Sequence, residues 1–469
     1  MKWMAITWFS LIGSMAVAQT MELKLTAAVK KLEADAQFKN AIISMYVVDS
    51  KDGKIIFDKH AAMGLVPASC QKIISSAAAF ELLGNDYHFK TELGFEGAVK
   101  DSILTGNCYL VGYGDPTLGS WRWNSTNETT TIKNFTAAIK SAGIKRINGN
   151  FLCYNRNWES NSTPGGWVWE DIGNYYGAGA SAINWRENQY NLILKAGKKP
   201  GDAVEIAGMK PMLEGVNLFS ELTTGPAGSG DHAYIYLSPY SNTGFVRGTI
   251  PLGENSFVIA GAMPDPGGQL VTTVVNKLKE KNEQGILYAG LLNGMEAGKK
   301  NGAFQPIVFY TNLSPVLDSI NYWFLKKSIN LYGEALVKAI AFEKDRFGTT
   351  ERGIELVKDF WSRHGIEKSA LNIEDGSGLS PTNRVTTKAL VTVLQYAQQQ
   401  KWFASFYHAL PEMNGIKMKD GYIGGVRSYT GYIKSNNGME YSFAFIVNNF
   451  DGSAATVREK MWQVLNLLK

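Results

Sequence analysis

Apolar and polar positions repeat with helical or strand spacing at both ends of the 469-residue chain. Apolar residues three or four apart predict helices over 20–36, 69–83, 314–326, 329–343, 350–364, 386–399 and 453–468. Apolar runs that flank turn residues predict two β-hairpins. One hairpin combines 42–48 with 54–57, and the other combines 429–434 with 440–448.

The middle of the chain has a different pattern. From about residue 90 to 300 the apolar runs are short and of β type, and 270–281 carries an isolated helical pattern. Helix and hairpin segments on both sides of a β-rich stretch are typical of one domain that a long insertion splits in sequence. We therefore predict a mixed α/β (α+β) protein, with a split domain over 19–95 and 305–469 and one or two β-rich inserted domains over 96–304.

The first eighteen residues have the features of an export signal. Lys2 precedes a mostly apolar run over 3–17, and Ala16-Val17-Ala18 supplies small residues for cleavage. No later run reaches the roughly 18 apolar residues that span a bilayer, so we expect no transmembrane segment. The sequence predicts a signal peptide over 1–18 and a mature protein exported to the periplasm or cell-wall space.

Charge and cysteine content exclude some classes of function. The formal net charge is +5, and it becomes +4 (5 − 1) when Lys2 leaves with the signal peptide. Without a basic block, nucleic acid is not an expected partner. Export would permit a disulfide between Cys108 and Cys153, whereas Cys70 is expected to be free and buried. The cysteines and histidines show no metal-ligand spacing, and we expect no metal or other cofactor.

The single Ser-x-x-Lys of the chain, Ser69-Cys70-Gln71-Lys72, begins a predicted helix that ends at Gly84. Residues three apart share a helix face, so the Lys72 amine can reach the Ser69 hydroxyl. The positive end of the helix dipole favours a developing alkoxide, and an adjacent base activates a serine. Ser69 is a candidate nucleophile with Lys72 as its base. For the tetrapeptide alone, the alternative is a serine helix cap beside an exposed lysine.

Two further short motifs carry candidate chemistry. Ser328-Ile329-Asn330 opens a predicted helix and offers a hydroxyl for proton relay and an amide. Lys419-Asp420-Gly421 precedes the last hairpin and offers a cation at a strand edge, where glycine lets a substrate backbone approach. Each motif alone is also typical of an ordinary helix cap or turn. Their order after Ser-x-x-Lys is what makes them informative.

Ser-x-x-Lys, Ser-x-Asn and Lys-[Thr/Ser]-Gly, in that order, are the signature of penicillin-binding proteins and serine β-lactamases. Over essentially the whole mature chain, the sequence resembles one branch, the low-molecular-mass class C penicillin-binding proteins. These D-alanyl-D-alanine carboxypeptidases/endopeptidases carry a long insertion between the first and second motifs. The segments that support the resemblance are 67–69, 112–118, 166–171, 175–178, 375–380 and 425–432.

The resemblance implies a fold, a substrate and catalytic roles. The fold would be an antiparallel sheet flanked by helices, and the partners would be peptidoglycan stem peptides and, as covalent inhibitors, β-lactam antibiotics. Ser69 would attack the D-Ala–D-Ala carbonyl and form an acyl-enzyme. Lys72 would be its base, kept neutral by burial and by nearby Lys419. Ser328 would relay the proton to the leaving amine, and Asn330 would hold the substrate amide and Lys72.

The resemblance also implies residues that bind substrate. The backbone N–H groups of Ser69 and Tyr422 would form the oxyanion hole, with Gly421 allowing close approach. Asp171 and Tyr176, in the insertion, match positions that contact the amino-bearing end of the peptide side chain. A carboxylate is chemically suited to an ammonium group.

The third motif departs from the family pattern at Asp420. The family has Thr or Ser there, and its hydroxyl binds the terminal carboxylate of the substrate together with the lysine. A carboxylate in that place would repel the substrate by up to several kcal/mol in a partly dry site. Three outcomes are open. Asp420 is protonated or turned away, Lys419 neutralises it and another substrate is favoured, or the protein binds peptidoglycan with little turnover.

The leading interpretation is a serine D,D-carboxypeptidase/endopeptidase. The alternatives are a peptidoglycan-binding protein with little or no turnover, and an esterase or β-lactamase of the same fold. An α/β-hydrolase is disfavoured because the chain has no Gly-x-Ser-x-Gly.

Overall fold

A computed structural model describes residues 20–279, 286–291 and 306–469. The predicted signal peptide lies outside these residues, as does the end of the predicted helix at 270–281. The chain forms two compact units. The first unit contains the described part of Met1–Leu82 with Asn321–Ser328 and Ile354–Lys469, and the second contains Leu83–Ile320 and Ile329–Gly353. The domain limits predicted from the sequence stay a prediction beside this division.

The helices follow in chain order: 20–33 (α1), Lys72–Leu82 (α2), Glu128–Ser141 (α3), Trp169–Ile172 (α4), Pro266–Lys279 (α5), Leu317–Lys326 (α6), Asn330–Asp345 (α7), Thr350–Arg363 (α8), Thr387–Gln398 (α9), Phe403–Ala409 (α10) and Ala454–Leu465 (α11). The predicted helices near both ends of the chain are confirmed to within a few residues. The sequence interpretation missed α3, although Ile132, Phe135 and Ile139 recur on its buried face. Its Thr-rich first turn forms because the Asn127 side chain caps it by accepting from the Thr130 N–H.

The strands in chain order are Ile42–Asp49 (β1), Ile55–Lys59 (β2), Lys90–Phe95 (β3), Ala98–Lys100 (β4), Ile103–Thr105 (β5), Cys108–Gly112 (β6), Arg146–Tyr154 (β7), Gln189–Lys195 (β8), Glu205–Lys210 (β9), Asn217–Gly225 (β10), His232–Tyr236 (β11), Thr243–Pro251 (β12), Phe257–Ala262 (β13), Ile286–Leu291 (β14), Ile307–Leu313 (β15), Leu371–Asn372 (β16), Arg384–Val385 (β17), Glu412–Met413 (β18), Ile416–Ile423 (β19), Val426–Lys434 (β20) and Glu440–Asn448 (β21).

The first unit is built on a six-stranded antiparallel sheet of order β18-β19-β20-β21-β1-β2. Strand β1 pairs with β21 along its whole length, so early and late parts of the chain share one sheet. Apolar residues of α1 and α11 form one core with Met45, Phe443 and Phe445 of the sheet. Helix α9 packs on β1, β20 and β21, and α2 packs on α9. The predicted mixed α+β class, with an antiparallel sheet flanked by helices, is confirmed.

Helix α2 is the buried centre of the first unit. All residues from Lys72 to Phe80 are buried, and most are small or apolar. A helix that is apolar on all sides belongs inside a protein rather than on its surface. Gly84 follows the helix with φ +90°, a conformation that glycine adopts without strain and that ends a helix as predicted.

Among its described residues, the second unit contains three sheets. The largest has the order β15-β3-β6-β7-β5-β4, and β14 also pairs with β7. Two three-stranded sheets have the orders β13-β8-β9 and β10-β12-β11. Apolar residues of α3 and α5 pack with those of the strands in one shared core.

Cys108 and Cys153 are buried free thiols, so they do not form the disulfide that export would permit. In the parallel pair β6–β7, Cys108 lies opposite Phe151 and Cys153 lies opposite Leu110. An offset of two residues between neighbouring strands separates the two Cα atoms by about 8 Å, beyond the reach of a disulfide. Burial raises the pKa of the Cys108 thiol to about 12.

None of the helices in the described ranges combines the length and the apolar character that crossing a bilayer requires.

Candidate active site

Ser69 lies in a tight turn just before α2. The turn is a 3-10 helix over Ala68–Gln71, and the α-helix itself begins at Lys72, three residues later than predicted. Ala68 has φ +45°, a left-handed conformation that costs a non-glycine residue about 1–3 kcal/mol. Such strain persists only where the surroundings fix the backbone. The turn leaves Ser69 half-buried between buried neighbours.

Lys72 is fully buried, with its amine beside the serine. Its Nζ atom is 2.9 Å from Ser69 Oγ and donates to the Ser377 carbonyl oxygen at 2.7 Å. The same amine lies 5.9 Å from the centre of the Phe324 ring. Lys72 is therefore not the exposed lysine of the alternative interpretation. Its amine is held by specific neighbours at hydrogen-bond distance from the hydroxyl.

A loop over 375–380 holds the nucleophile turn, and the sequence interpretation gave it no role. The buried Asp375 side chain accepts hydrogen bonds at Oδ1 from the Gln71 and Asn383 side chains and at Oδ2 from the Ser380 N–H, at 2.9, 3.0 and 2.7 Å. Gly378 has φ +83°, and a Cβ there would lie 2.0 Å from the Ala68 carbonyl oxygen. The Asp-Gly-Ser-Gly sequence is a turn signal, but its contact with residue 68 is visible only in the fold.

Strand β19 passes directly behind the nucleophile turn. A Cβ at Gly421 would lie 2.9 Å from Ser69 N and 2.7 Å from the Pro67 carbonyl oxygen, so only glycine allows this approach. The Cys70 thiol donates to the Lys419 carbonyl oxygen at 3.3 Å. Alternate residues of a strand share a face, so Lys419 has the same facing as Gly421. The first and third motifs therefore meet, with Lys419 1% exposed.

Asp420 pairs with two cations at this edge. Its Oδ1 is 3.1 Å from Lys419 Nζ, and its Oδ2 is 3.8 Å from Arg427 Nη2. Burial alone would raise the pKa of Asp420, but the hydrogen-bonded Lys419 ammonium and the Arg427 guanidinium hold that pKa below its ordinary value. The Arg427 guanidinium also lies 5.6 Å from the ring of Tyr422, which is 53% exposed. A carboxylate, not a neutral acid, occupies the third motif.

The third motif lies inside a strand instead of before one. Strand β19 contains Lys419, Asp420 and Gly421, and it reaches Ile423 before the chain turns back into β20 at Val426. Strand β18 pairs only with Ile416 and Lys417, so the later residues of β19 form the edge of the sheet. Lys419, the cation that the sequence predicts at a strand edge, thus lies in the part of β19 that β18 does not cover.

Ser328 lies in the segment that joins α6 to α7. It is half-buried, and its φ of +57° is a left-handed conformation like that of Ala68. Phe324, four residues earlier, is the ring beside the Lys72 amine. The segment that carries Ser328 is therefore anchored next to the base.

Three of the predicted residues belong to the second unit. Asn330 begins α7, and its Nδ2 donates to the Tyr176 carbonyl oxygen at 2.7 Å. Asp171 lies in the short helix α4 and accepts a hydrogen bond from the Tyr176 hydroxyl. Burial raises the pKa of Asp171 to about 6; neighbouring Glu170 adds to the rise, and the Tyr176 hydrogen bond opposes it. The structure thus groups Asn330, Tyr176 and Asp171.

Across the ranges that the structure describes, no three His, Cys, Asp or Glu side chains gather closely enough to hold a metal ion.

A sequence model of the D-Ala-D-Ala carboxypeptidase 3 (S13) family matches residues 25–468. The chain belongs to this family. It is a serine-type D-Ala-D-Ala carboxypeptidase of the penicillin-binding class, and the resemblance predicted from the three motifs is confirmed.

Similar proteins span most of the chain. The D-alanyl-D-alanine carboxypeptidase of Actinomadura sp. (strain R39) is 26% identical over 478 residues, which cover 95% of this chain and 85% of the relative. A crystal structure of penicillin binding protein 4 (dacB) from Haemophilus influenzae is 22% identical, covers 91% of this chain and 95% of its own, and has a TM-score of 0.75. A second structure of that protein, complexed with a novel β-lactam, is 21% identical, covers 92% and 96%, and has a TM-score of 0.71. These structures share the fold of this chain.

Proposed function

We propose that the protein hydrolyses peptidoglycan stem peptides as an exported D,D-carboxypeptidase/endopeptidase that forms an acyl-enzyme at Ser69. The observation that carries this proposal is the buried Lys72 amine, 2.9 Å from Ser69 Oγ and fixed by the Ser377 carbonyl. A serine hydroxyl is a weak nucleophile, and a base at hydrogen-bond distance activates it by taking its proton. The name of the Haemophilus relative states that it binds penicillin, which supports a β-lactam as covalent inhibitor here.

The proposed reaction has two steps. Ser69 Oγ attacks the carbonyl of the D-Ala–D-Ala bond while its proton passes to the Lys72 amine, and the C–N bond then breaks. The leaving amine takes the proton through the Ser328 hydroxyl. Water then attacks the ester carbonyl, and Ser69 is released with its proton restored. The N–H groups of Ser69 and Tyr422 are proposed to stabilise the oxyanion, and the role of Asn330 stays a prediction.

Acylation by a penicillin tests this proposal directly. The wild-type chain should gain the mass of one penicillin and release D-Ala from a pentapeptide, and the Ser69→Ala chain should do neither. Release of D-Ala by Ser69→Ala at the wild-type rate would refute the proposed nucleophile.

Asp171 is proposed to bind the ammonium group of the peptide side chain. Because its pKa is raised to about 6, the carboxyl is mostly neutral below that pH and mostly ionised above it. An ammonium group pairs with the ionised form. Affinity for an amino-bearing peptide should therefore increase as the pH rises through about 6.

We expect KM for an amino-bearing peptide to be about 10-fold higher at pH 5 than at pH 7, because one pH unit below the pKa leaves about a tenth of Asp171 ionised. The ratio of this KM to that of the same peptide with an acetylated amine removes the effect of other titrating groups. Asp171→Asn should make the ratio independent of pH. A ratio that already stays constant from pH 5 to 7 in wild type would argue against this role.

Asp420 is proposed to compete with the terminal carboxylate of the substrate for Lys419. Its lowered pKa and the 3.1 Å pair with Lys419 favour the outcome in which the lysine neutralises the aspartate. A carboxylate substrate must then displace one carboxylate from the lysine to bind with another. This competition would lower carboxypeptidase activity relative to cleavage of peptides without a free carboxylate at that place.

Asp420→Thr is expected to raise kcat/KM for a D-Ala–D-Ala peptide by about 10-fold or more, since a charge-assisted hydrogen bond contributes about 1.5–3 kcal/mol. The matched substrate is the same peptide with its C-terminus amidated, for which the change should be small. Equal effects on both substrates would show that Asp420 acts on something other than terminal charge. If wild type binds peptidoglycan but releases no D-Ala, and the variant does release it, the alternative of a binding protein with little turnover is favoured instead.

A further inference from the structure

The sheet β10-β12-β11 carries aromatic side chains on its outer face that no role proposed above uses. In its register, Phe219 lies opposite Phe245, and Phe245 lies opposite Tyr236. The Tyr236 and Phe245 rings stack with centroids 4.9 Å apart and planes 15° apart. Phe219 is 62% exposed. The alternate positions on these strands are buried in the core of the unit, namely Leu222, Ile235 and Val246. The three rings therefore line one exposed face.

A fourth ring extends this line. Trp169 is 47% exposed, and its ring centroid is 6.0 Å from that of Tyr236. It begins helix α4. Asn174, just after this helix, links it to β11, because its Oδ1 accepts from the Ile235 N–H at 3.1 Å and its Nδ2 donates to the Glu170 carbonyl oxygen at 2.7 Å. We refer to Phe219, Phe245, Tyr236 and Trp169 as the aromatic row. The pairing of the three strands and the hydrogen bond between Ile235 and Asn174 fix where these four rings lie.

A polar row lies beside the aromatic row. The next outward positions on the three strands are Glu221, Arg247 and Tyr234, which are register partners. Arg247 Nε donates to Glu221 Oε2 at 2.5 Å, and the Arg247 guanidinium lies 5.3 Å from the Phe245 ring. The exposed rings at the two ends of the row, Phe219 and Trp169, together with these hydrogen-bonding groups suit a ligand with apolar faces and hydroxyl or amide edges. Sugar rings have that surface.

We propose that the aromatic row binds the glycan strand of peptidoglycan. The proposal rests on the proposed function, and it is supported by continuity with the residue that we propose binds the stem peptide. The row meets the helix that carries Asp171, because the Tyr236 hydroxyl donates to Oε1 of Glu170, the residue before Asp171, at 3.4 Å. Stem peptides are joined covalently to the glycan, so a chain that holds the peptide at Asp171 has sugar rings nearby. The charged edge of Glu221 and Arg247 makes the face less suited to an apolar protein partner.

Binding of the full chain to peptide-free glycan strands tests this proposal without any turnover. Trp169→Ala combined with Phe219→Ala should raise the Kd at least about 10-fold, because the double variant removes two aromatic rings that contact the glycan. Trp121→Ala is the matched control, because Trp121 belongs to the same unit and is 54% exposed but lies outside the row. Trp169→Phe combined with Phe219→Tyr keeps the rings and should retain most of the affinity. Circular dichroism should give the same fold for all variants.

Three results would overturn the proposal: no glycan binding by wild type, equal losses for the row and control variants, or unchanged binding by the row variant. Sedimentation of the same proteins tests whether the face binds a second copy of the chain. If the row variant loses self-association and keeps glycan binding, the face binds a second copy instead. Because free glycan contains no scissile peptide, failure here leaves D-Ala release from a short peptide as a separate test of the proposed function.

Discussion

Replacing Lys72 by methionine is expected to slow acylation of Ser69 by penicillin by about 10²- to 10⁴-fold, the range that a positioned general base contributes. Methionine has a similar length and is apolar, so it fills the space beside Phe324 without the amine. The substitution removes the group that lies 2.9 Å from Ser69 Oγ. The rate constant is read from the growth of the acylated mass with time in intact-protein mass spectrometry.

Lys338→Met provides a matched control for the burial of a lysine. Lys338 is also fully buried, in the second unit, and donates to the carbonyl oxygens of Asn161 and Ala180 at 2.7 and 2.9 Å. This control should lower stability, but the folded fraction should still be acylated at close to the wild-type rate. If Lys72→Met is acylated within a few-fold of wild type, Lys72 is not the base.

Asp375→Ala is expected to lower the free energy of unfolding of the first unit by about 3–5 kcal/mol, because several buried donors lose the same acceptor. The change removes the carboxylate that accepts from the Asn383 side chain and from the Gly378 and Ser380 N–H groups, whereas Gln71 keeps its hydrogen bond to the carbonyl oxygen of residue 375. Each buried group left unpaired costs about 1–3 kcal/mol. Urea unfolding followed by tryptophan fluorescence measures the loss.

The same substitution should also slow acylation, because the loop that it loosens supplies the Ser377 carbonyl to Lys72. Glu374→Ala, at the exposed neighbouring position, is the control and should change stability by less than about 0.5 kcal/mol. A stable Asp375→Ala chain with full acylation would mean that the loop does not position the base.

Much of the structure after about residue 314 follows from local pattern. Helices α7, α8 and α9 have regular apolar spacing, and the hairpin of β20 and β21 surrounds a strong turn sequence, so local signals suffice for both. The Ser69–Lys72 contact also follows from a spacing of three residues. Even there, the local prediction missed the 3-10 turn, because the strain at Ala68 depends on Gly378 and Gly421, which are distant in sequence.

The remaining features depend on long-range register. The sequence does not reveal that Cys108 and Cys153 are offset by two positions, because only the pairing of β6 with β7 defines that offset. The aromatic row is likewise distributed over three strands and a helix, and its members are not periodic along the chain. The contact of Asp375 with Gln71 joins residues 304 positions apart. Such pairings depend on the whole fold, and the local pattern of one sequence does not specify them.

The central claim is that Ser69 is the nucleophile, and locating a bound penicillin on the chain tests it most directly. Trypsin should release residues 60–72, a peptide that contains both Ser69 and Cys70. Burial raises the pKa of the Cys70 thiol to about 12, so it is a poor nucleophile at neutral pH. Fragmentation of the labelled peptide should place the added mass on Ser69. A label on Cys70, or no label on this peptide while the folded protein is saturated with penicillin, would contradict the account.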